Sequence, residues 1–453
     1  MKVGFVSLGC SKNLIDTEAT IGRFKEHNYE IVNDEKKADV IVINTCGFID
    51  SAKEEAINTI LEMAEHKNEK CRYLIVMGCL VQRYKEDLEK LLPEVDLFIK
   101  IDEYDELWEK IENLLKRGII EKSKKQATNK ISEIPVMPML KQEEFMGRVI
   151  TTGNNYAYLK IGEGCSNKCT YCAIPYIRGP FVSRKQEDIL EEAKMLAKKG
   201  IKEIIVIAQD TTKYGVDIYG ECKLPELLEQ LTQIEGIEWV RFLYSYPEGI
   251  TNELIEVVSK NNKIAKYFDI PMQHISNPIL KKMNRKTTKE KTEELIKNIR
   301  TKIPEVVLRT SLIVGFPGET KENFEELLEF VKETKFDKLG VFPYSKEDGT
   351  PAARLKEQIH PATKKKRYNL IMSVAKDISA EKLKSYIGKE YKVLVEDTTF
   401  DHKFCVGRSY MDIPDTDGMV IIKNCDTKLV GEFVNCKVTA VNNYDLIAKI
   451  SNK

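Results

Sequence analysis

The chain has 453 residues, and its 71 Lys and Arg residues balance 71 Asp and Glu residues, so the formal net charge is zero. At about 150 residues per domain, this length predicts about three domains. The charge balance excludes a protein that is basic throughout and coats nucleic acid by charge alone. With 42% hydrophobic and 31% charged residues, the composition is typical of a globular chain rather than a disordered one.

The sequence predicts a cytoplasmic protein with no membrane span. No run of about 18 apolar residues occurs, and the opening MKVGFVSLGC becomes polar too early for a secretory signal. In a reducing compartment, the 11 cysteines favour metal or redox chemistry over disulfide bonds.

Strand and helix signals alternate over residues 3–115 and predict a doubly wound α/β domain with a parallel sheet. The candidate strands lie at 3–8, 40–44, 73–78 and 96–100. Asn13 is expected to cap the first helix. We therefore predict a first domain over 1–117. Six basic residues between Lys116 and Lys130, with prolines following, predict a linker or covering segment over 118–150.

A second alternating region begins near residue 155 and contains six candidate strands. They lie at 156–161, 203–208, 240–245, 267–271, 308–314 and 339–344. Six βα repeats predict a partial or complete TIM-like parallel barrel over 151–383, with its function at the carboxyl ends of the strands. Short strands between Gly, Asn and Asp turns then predict a small antiparallel β-barrel over 384–453.

The segment GEGCSNKCTYC places Cys165, Cys169 and Cys172 within eight residues, just after the first strand of the predicted barrel. A structural zinc site requires four ligands, and no fourth cysteine or histidine lies close by. A ferredoxin run carries four cysteines in order. Three thiolates can hold three irons of a [4Fe–4S] cube and leave the fourth open to a ligand. We interpret the triplet as such a cluster site, with zinc or a chance grouping of core cysteines as the alternatives.

Three further cysteines, Cys10, Cys46 and Cys79, each follow the end of a predicted parallel strand in the first domain. Carboxyl ends of adjacent parallel strands meet at one crevice, where ligands bind. Cys71 precedes its strand and should lie at the opposite edge of the sheet. The alternative is three ordinary buried cysteines. The pattern favours a second [4Fe–4S] cluster, again with one iron that lacks a protein ligand.

The cysteine triplet at the mouth of a βα barrel resembles the radical S-adenosylmethionine (SAM) superfamily. In that superfamily the open iron chelates the amino and carboxylate groups of SAM. An electron from the cluster then cleaves the sulfonium and releases a 5′-deoxyadenosyl radical. The resemblance implies that Tyr171, just before the third cysteine, lies near the adenine. Gln209, Gln273, Arg309 and Ser311 lie on or at strand ends and are candidate cofactor contacts, with structural roles as the alternative.

Two three-cysteine sites followed by a small β-barrel resemble the methylthiotransferase family over essentially the whole chain. The matching segments are LGCSKNLIDTE (8–18), YAYLKIGEGC (156–165), QDTTKYG (209–215), YPEGITNELI (246–255), DIPMQHIS (269–276), YSKEDGTPAA (344–353) and GRSYMDIPDTDG (407–418). The family combines a cluster domain, a radical SAM barrel and a TRAM domain. These segments resemble the members that modify a ribosomal protein, and tRNA-modifying members differ after the first cysteine.

The resemblance implies transfer of a methylthio group to the β-carbon of an aspartate in small-subunit ribosomal protein twelve, free or on the ribosome. One SAM would supply the methyl group, and another would supply the radical that removes a β-hydrogen. The Cys10, Cys46 and Cys79 cluster would deliver sulfur, and an electron donor would be required. An unactivated C–H bond offers no acidic proton, so the cofactors carry the difficult step and no further catalytic side chain is predicted.

The terminal barrel favours a protein substrate over RNA. Residues 384–453 contain ten basic and ten acidic residues, whereas RNA-binding barrels usually carry a basic excess. Asp412, Asp415 and Asp417 could dock a basic ribosomal protein, or form a plain acidic turn. The rival functions are a tRNA methylthiotransferase acting on a modified adenosine, an electron-carrying iron–sulfur protein and a zinc-dependent RNA-binding module. We expect that nucleic acid is not required.

Overall fold

The computed structural model describes residues 1–117, 137–153 and 155–451. Its strands are β1 (Lys2–Ser7), β2 (Glu30–Val32), β3 (Val40–Thr45), β4 (Tyr73–Gly78), β5 (Leu97–Ile99), β6 (Tyr156–Lys160), β7 (Gly162–Glu163), β8 (Val182–Ser183), β9 (Glu203–Ile207), β10 (Trp239–Phe242), β11 (Tyr267–Gln273), β12 (Val307–Val314), β13 (Lys338–Pro343), β14 (Glu390–Thr398), β15 (Phe404–Arg408), β16 (Val420–Lys423), β17 (Phe433–Asn442) and β18 (Asp445–Ile450). Its α-helices are α1 (Ser11–Glu26), α2 (Asp50–Glu65), α3 (Cys79–Leu91), α4 (Leu107–Arg117), α5 (Gln142–Gly147), α6 (Ile174–Arg178), α7 (Gln186–Lys198), α8 (Val216–Tyr219), α9 (Leu224–Thr232), α10 (Asn252–Lys260), α11 (Asn277–Lys282), α12 (Lys289–Lys302), α13 (Lys321–Thr334) and α14 (Pro361–Lys384).

The N-terminal sheet has the strand order β2-β1-β3-β4-β5, and every pair in it is parallel. Phe24 of α1 and Ile111 of α4 pack on one face, whereas Ile60 of α2 and Leu88 of α3 pack on the other. The predicted doubly wound fold is confirmed. The sequence missed only the edge strand β2, because three residues are too few to show a periodic pattern.

The central region forms a partial parallel barrel from two three-stranded sheets, with orders β10-β9-β6 and β11-β12-β13. A parallel bridge between Val240 and Ile264 lies where the two sheets approach each other. Successive residues of a strand point to opposite faces of its sheet. Leu159 and Val206 pack towards the surrounding helices, while Tyr158 and Ile205 join a second, inner cluster. All six predicted strands are present, and the interior between them is where a ligand can bind.

The C-terminal strands close into a five-stranded barrel in the order β14-β15-β16-β18-β17. The predicted small β-barrel is confirmed, but its pairing is not antiparallel throughout, because β16 and β18 are parallel. An odd number of strands cannot alternate in direction around a closed ring, so one neighbouring pair must be parallel. Cys405 and Cys425 form a disulfide bond, so the preference for metal or redox chemistry over disulfides does not extend to this pair.

The C-terminal barrel meets the central barrel at buried ion pairs. Glu203 at the start of β9 accepts from Arg241 at 2.8 Å and from Arg408 of β15 at 2.7 Å. Arg408 also pairs with Glu396 at 2.6 Å. Burial acts to raise the pKa of Glu203, but Arg408 and Arg241 outweigh it and hold that pKa below the usual value of 4.5. This joint fixes the orientation of the terminal barrel.

The acidic loop 412–417 belongs to the same joint. Asp412 is buried and binds Lys338 of β13 at 2.6 Å. Asp417 accepts a 2.7 Å hydrogen bond from the Tyr267 hydroxyl. Only Asp415 of the three aspartates is exposed. The loop therefore anchors one barrel to the other, and the suggestion that its three aspartates dock a basic substrate is not supported.

The part of the predicted 118–150 linker that the structure describes covers the junction of the first two domains. Residues 118–136 lie outside the described part of the chain. Arg148 is buried and binds Glu18 of α1 at 2.7 Å and Glu192 of α7 at 2.9 Å. It therefore ties the N-terminal domain to the central barrel. Over residues 1–117, 137–153 and 155–451, no helix has both the length and the apolar character needed to span a bilayer.

We predict that Glu203→Gln lowers the stability of the folded chain by about 3–5 kcal/mol, because it removes the buried carboxylate that Arg241 and Arg408 share. The pKa of Glu203 is depressed in the folded state. Its contribution is therefore present above about pH 4.5 and is lost as the pH falls through the folded-state pKa. Urea unfolding at pH 7 and at pH 4 measures both effects.

Glu432→Gln is the matched control, since Glu432 forms a 2.7 Å ion pair with Lys202 but its side chain is 59% exposed. Its loss should change stability by less than about 1 kcal/mol. Equal effects of the two substitutions would contradict a structural role for the buried joint.

Candidate metal centres

Three cysteines lie together at the carboxyl edge of the N-terminal sheet. Cys10 follows β1 and precedes α1, Cys46 directly follows β3, and Cys79 directly follows β4 at the start of α3. Their thiols are close enough that each interacts electrostatically with another of the set. Cys71 lies before β4, where its sulfur donates to the Tyr73 carbonyl, and takes no part in the group. The structure therefore brings together the trio that the strand-end pattern indicated.

Asn13 holds the loops that carry these cysteines. Its side-chain amide donates to the Leu8 carbonyl at 3.1 Å and to the Thr45 carbonyl at 3.0 Å. Its side-chain oxygen lies 3.5 Å from the sulfur of Cys79. The prediction that Asn13 caps α1 is wrong, because α1 begins at Ser11 with Cys10 as its cap residue. The buried amide instead joins the ends of β1 and β3, two of the three cysteine-bearing loops.

A close backbone approach also shapes this trio. Gly9 has φ of +87°, and a Cβ atom placed on it would lie 2.7 Å from the Cβ and 3.1 Å from the sulfur of Cys46. Any larger residue would push Cys46 aside and would strain the backbone. Glycine at this position therefore leaves the space between the cysteines free.

Positive charge surrounds the trio. Burial acts to raise the pKa of the Cys10 thiol, but Lys12 and Arg178 outweigh it and lower that pKa below its usual value. Burial and the neighbouring Cys79 raise the pKa of Cys46 to about 12. Arg178 donates to the sulfur of Cys79 at 3.6 Å. Arg178 acts on all three thiols, and Lys12 on Cys10, in the direction of the charged, metal-binding form, but the net pKa is lowered only for Cys10.

The second trio, Cys165, Cys169 and Cys172, lies in the loop after β6 and β7 and before α6. The backbone N–H of Cys165 donates to Gly179 at 3.0 Å, and that of Cys172 donates to Cys169 at 3.1 Å. Burial raises the pKa of Cys165 to about 12, and it raises the pKa of Cys172 as well. The three thiols interact electrostatically with one another, so the loop brings them into one group.

Arg285 and Tyr246 flank this second trio. The Arg285 guanidinium lies 3.9 Å from the sulfur of Cys169 and 4.2 Å from the centre of the Tyr246 ring. The Tyr246 hydroxyl lies 3.9 Å from the same sulfur. Asn167, between the first two cysteines, donates to Asp210 at 2.6 Å. The loop is therefore held by residues from three other barrel segments.

A buried set of charges joins the two trios. Asp16 of α1 binds Lys160 at 2.6 Å and Arg178 at 2.9 Å, and Glu163 binds the same two cations at 2.9 and 3.0 Å. Arg178 also donates to the Asn13 side chain at 2.6 Å. Burial acts to raise the pKa of Glu163, but Arg178 and Lys160 lower it to about 2. One ion-pair network therefore reaches from the loops of the first trio to the strand that precedes the second.

The predicted cofactor contacts fall into two groups, and their role remains a prediction. The first group is Tyr171, Gln209 and Gln273, which lie at the carboxyl side of the barrel with the second trio. Tyr171 packs with Phe316 and Tyr344 beside that trio. Gln209 donates to Glu163 at 3.5 Å. Gln273 ends β11 with φ of +69°, a conformation that often marks functional positions.

Arg309 and Ser311 form the second group, inside β12. Arg309 binds Asp269 at 2.8 Å and approaches Asp417 of the terminal barrel at 4.0 Å. Its guanidinium is thus engaged towards the C-terminal barrel, away from the cysteines. Ser311 lies two residues further along the strand and faces Gly340 of β13.

Each trio supplies three thiols in one group, which is a donor set that an iron–sulfur cluster can use. Among the described residues, no three Cys, His, Asp or Glu side chains are arranged to hold one metal ion. A [4Fe–4S] cube is larger than one ion and binds each thiolate at a different iron, so its ligands stand further apart. Backbone N–H groups of Asn13 and Asn167 point at Cys10 and Cys165. Such hydrogen bonds to sulfur are typical of cluster sites.

Sequence reasoning missed the residues that surround the cysteines. Asn13, Arg178, Arg285 and Tyr246 each contact a thiol or its loop, but none was singled out as a site residue. Asn13 stands three residues after Cys10, and Arg178 six residues after Cys172, so proximity to the cysteines was the available signal. The sequence could not show that the two would meet at 2.6 Å.

Three family models match the chain in order. Residues 2–100 match Uncharacterized protein family UPF0004, residues 159–331 match the Radical SAM superfamily, and residues 387–450 match the TRAM domain. A solved structure of the radical SAM methyltransferase TsrM from Kitasatospora setae is similar to this one, and the matched region covers 78% of this chain and 76% of the TsrM chain. Its TM-score is 0.56 at 13% identity, so the likeness concerns the fold alone.

The partial barrel with its cysteine triplet, together with the matching model, defines a radical SAM enzyme. Two full-length relatives place it more narrowly. The ribosomal protein uS12 methylthiotransferase RimO of Alkaliphilus oremlandii is 60% identical over 99% of both chains. That of Acetivibrio thermocellus is 50% identical over 100% of this chain and 99% of its own. The chain belongs to the RimO family of radical SAM methylthiotransferases.

We predict that Asn13→Ala reduces iron binding at the N-terminal trio, because it frees the loops after β1 and β3 and leaves the Leu8 and Thr45 carbonyls without their buried donor. Iron and sulfide analysis after anaerobic reconstitution should show about half the wild-type content, with the SAM-binding site retained. Thr20→Ala, further along the same helix, is the control and should bind iron normally. Full iron content in Asn13→Ala would contradict the clamping role.

Proposed function

We propose that this protein transfers a methylthio group to the β-carbon of an aspartate in small-subunit ribosomal protein uS12, known also as protein twelve. The full-length relatives that carry this activity in their names support the assignment. The observation that carries it in this chain is the pairing of two cysteine trios through one buried charge network. A radical enzyme that only cleaves SAM needs one trio, whereas sulfur insertion requires a second site for the sulfur.

We propose that Cys165, Cys169 and Cys172 hold the [4Fe–4S] cluster of the radical SAM reaction. We assign a second [4Fe–4S] cluster to Cys10, Cys46 and Cys79. When bound, the first supplies the electron for SAM cleavage and the second supplies or carries the sulfur that enters the product. Each trio offers three ligands to a four-iron cube, so each leaves one iron for a non-protein ligand.

The residues around the trios bind SAM, orient the first trio relative to the barrel and shield the thiols from water. Tyr171, Gln209 and Gln273 are proposed SAM contacts because they lie at the strand ends beside the second trio. Arg178 and Asn13 hold the first trio at a set distance from the barrel. Burial of Cys79, Cys165 and Cys169 limits the access of water and oxygen to these thiols.

We further propose that the protein acts in the cytoplasm, on uS12 that is free or within the ribosome, and receives electrons from a separate donor. The functional units would be a cluster domain over 1–117, a covering linker over 118–150, a radical SAM domain over 151–383 and a TRAM domain over 384–453. Anaerobic assays with purified uS12 and with tRNA test the substrate. Methylthiolation of tRNA alone would replace this proposal with a tRNA-modifying function.

Cys165→Ala should abolish SAM cleavage, because two thiolates remain where the radical cluster needs three. The N-terminal domain should keep its iron. Production of 5′-deoxyadenosine under strong reduction measures the loss, and iron analysis measures what remains. Cys222→Ala is the control, since Cys222 is half-buried, outside both trios, and should cleave SAM normally. Normal cleavage by Cys165→Ala would refute the ligand assignment.

Cys46→Ala should have the converse effect. SAM cleavage should persist, because the second trio is intact, but uS12 should receive no methylthio group. Mass spectrometry of uS12 measures the product, with 5′-deoxyadenosine measured in the same sample. Cys71→Ala is the control, since Cys71 is a buried cysteine of the same domain that lies before β4. Methylthiolated uS12 from the Cys46 variant would exclude this trio from sulfur delivery.

A further inference from the structure

Lys12 is a buried cation in the gap between the N-terminal domain and the central barrel. It lies in the first turn of α1, two residues after Cys10, and is only 6% exposed. Its ammonium lies 3.3 Å from the centre of the Tyr244 ring, which belongs to the loop after β10. The charge is therefore placed beside the first cysteine trio and faces the carboxyl side of the barrel.

Lys12 differs from the other buried cations of this junction in its partners. Lys160, Arg178 and Arg148 each bind two carboxylates. Within residues 1–117, 137–153 and 155–451, Lys12 has no carboxylate partner and its ammonium makes no hydrogen bond; it acts electrostatically on the Cys10 thiol and lies over the Tyr244 ring. A largely buried lysine that has no carboxylate partner is unfavourable, and an aromatic face compensates for the missing partner only in part. Its donors are available to a ligand.

Tyr244, whose ring lies under the Lys12 ammonium, has a rare backbone conformation. Tyr244 has φ of +60°, which bulky residues seldom adopt. The Tyr244 N–H donates to Asp269 at 3.0 Å, and its carbonyl accepts from the Thr211 N–H at 3.1 Å. Strain of this kind persists where the surrounding structure enforces it, and it clusters at ligand sites. The ring is therefore fixed in place beneath an ammonium that has no carboxylate partner.

We infer that Lys12 binds the side-chain carboxylate of the substrate aspartate. This inference rests on the proposed function and names the residue that recognises its substrate. The carboxylate carbon of aspartate is bonded directly to the β-carbon. A carboxylate held by Lys12 therefore places the β-carbon next to the trio of Cys10, Cys46 and Cys79, where the new C–S bond must form. Lys12 makes no bond itself and acts by binding and orientation.

A double-mutant cycle tests this contact in the reconstituted full-length enzyme under anaerobic conditions. The probes are two fluorescent peptides of uS12, one with the target aspartate and one with asparagine in its place. Lys12→Met should weaken binding of the aspartate peptide about tenfold or more, as expected for loss of a charge-assisted hydrogen bond. The asparagine peptide should bind wild type and Lys12→Met equally weakly. Lys12→Arg should restore part of the preference for aspartate.

Two controls separate this role from others. Lys25→Met removes an exposed lysine of the same helix and should leave both peptide affinities unchanged. Iron content and the electron paramagnetic resonance signals of Lys12→Met should match wild type, because Arg178 still lowers the pKa of the Cys10 thiol. If they change while the preference for aspartate is retained, Lys12 serves the cluster and the inference is overturned. Weaker binding of SAM with unchanged peptide binding would assign the contact to the SAM carboxylate and overturn it too.

The outcomes also separate this inference from the function on which it rests. If wild type methylthiolates uS12 but Lys12→Met weakens both peptides by the same factor, the inference alone fails, because no coupling to the carboxylate exists. If wild type neither binds the aspartate peptide nor modifies uS12, the proposed function fails, and the inference fails with it.

Discussion

The buried ion-pair network of Asp16, Lys160, Glu163 and Arg178 is the contact on which the rest of this architecture depends. It joins the first helix of one domain to the first strand and a short helix of the next. Four charges away from water are tolerated only when every one has partners, and here each carboxylate binds two cations. The geometry is therefore strict. It sets the distance between two cysteine trios that belong to different domains.

The same network influences the chemistry of both sites. Arg178 reaches the sulfur of Cys79 and the side chain of Asn13, while Glu163 accepts the backbone N–H of Gly164, which precedes Cys165. A displacement of either domain would therefore change the contact of Arg178 with Cys79 in the first trio. It would also change the hydrogen bond of Gly164, next to Cys165 in the second trio. Lys12 adds a cation that these carboxylates do not neutralise. Among these residues of the gap, the three cations Lys12, Lys160 and Arg178 therefore outnumber the two carboxylates Asp16 and Glu163.

Much of the fold could be predicted, because periodic patterns and turn residues are local properties of the chain. The six barrel strands and the strand-end positions of Cys10, Cys46 and Cys79 are examples. The failures have physical causes that are not local. A polar residue near a helix start suggested a cap at Asn13, but a buried amide is worth more as a clamp between two loops. The aspartates of 412–417 suggested a docking surface, yet their partners Lys338 and Tyr267 lie on distant strands.

The sequence by itself determined the class of chemistry, since three cysteines within eight residues after the first strand of a βα barrel are typical of radical SAM enzymes. It also determined the order of the domains. Only the tertiary structure decided which charges meet, because Arg178 and Asn13 are 165 residues apart and Lys160 and Asp16 are 144 apart. No local pattern encodes such pairs. They form when the packing of two domains removes the charges from water and leaves them only one another as partners.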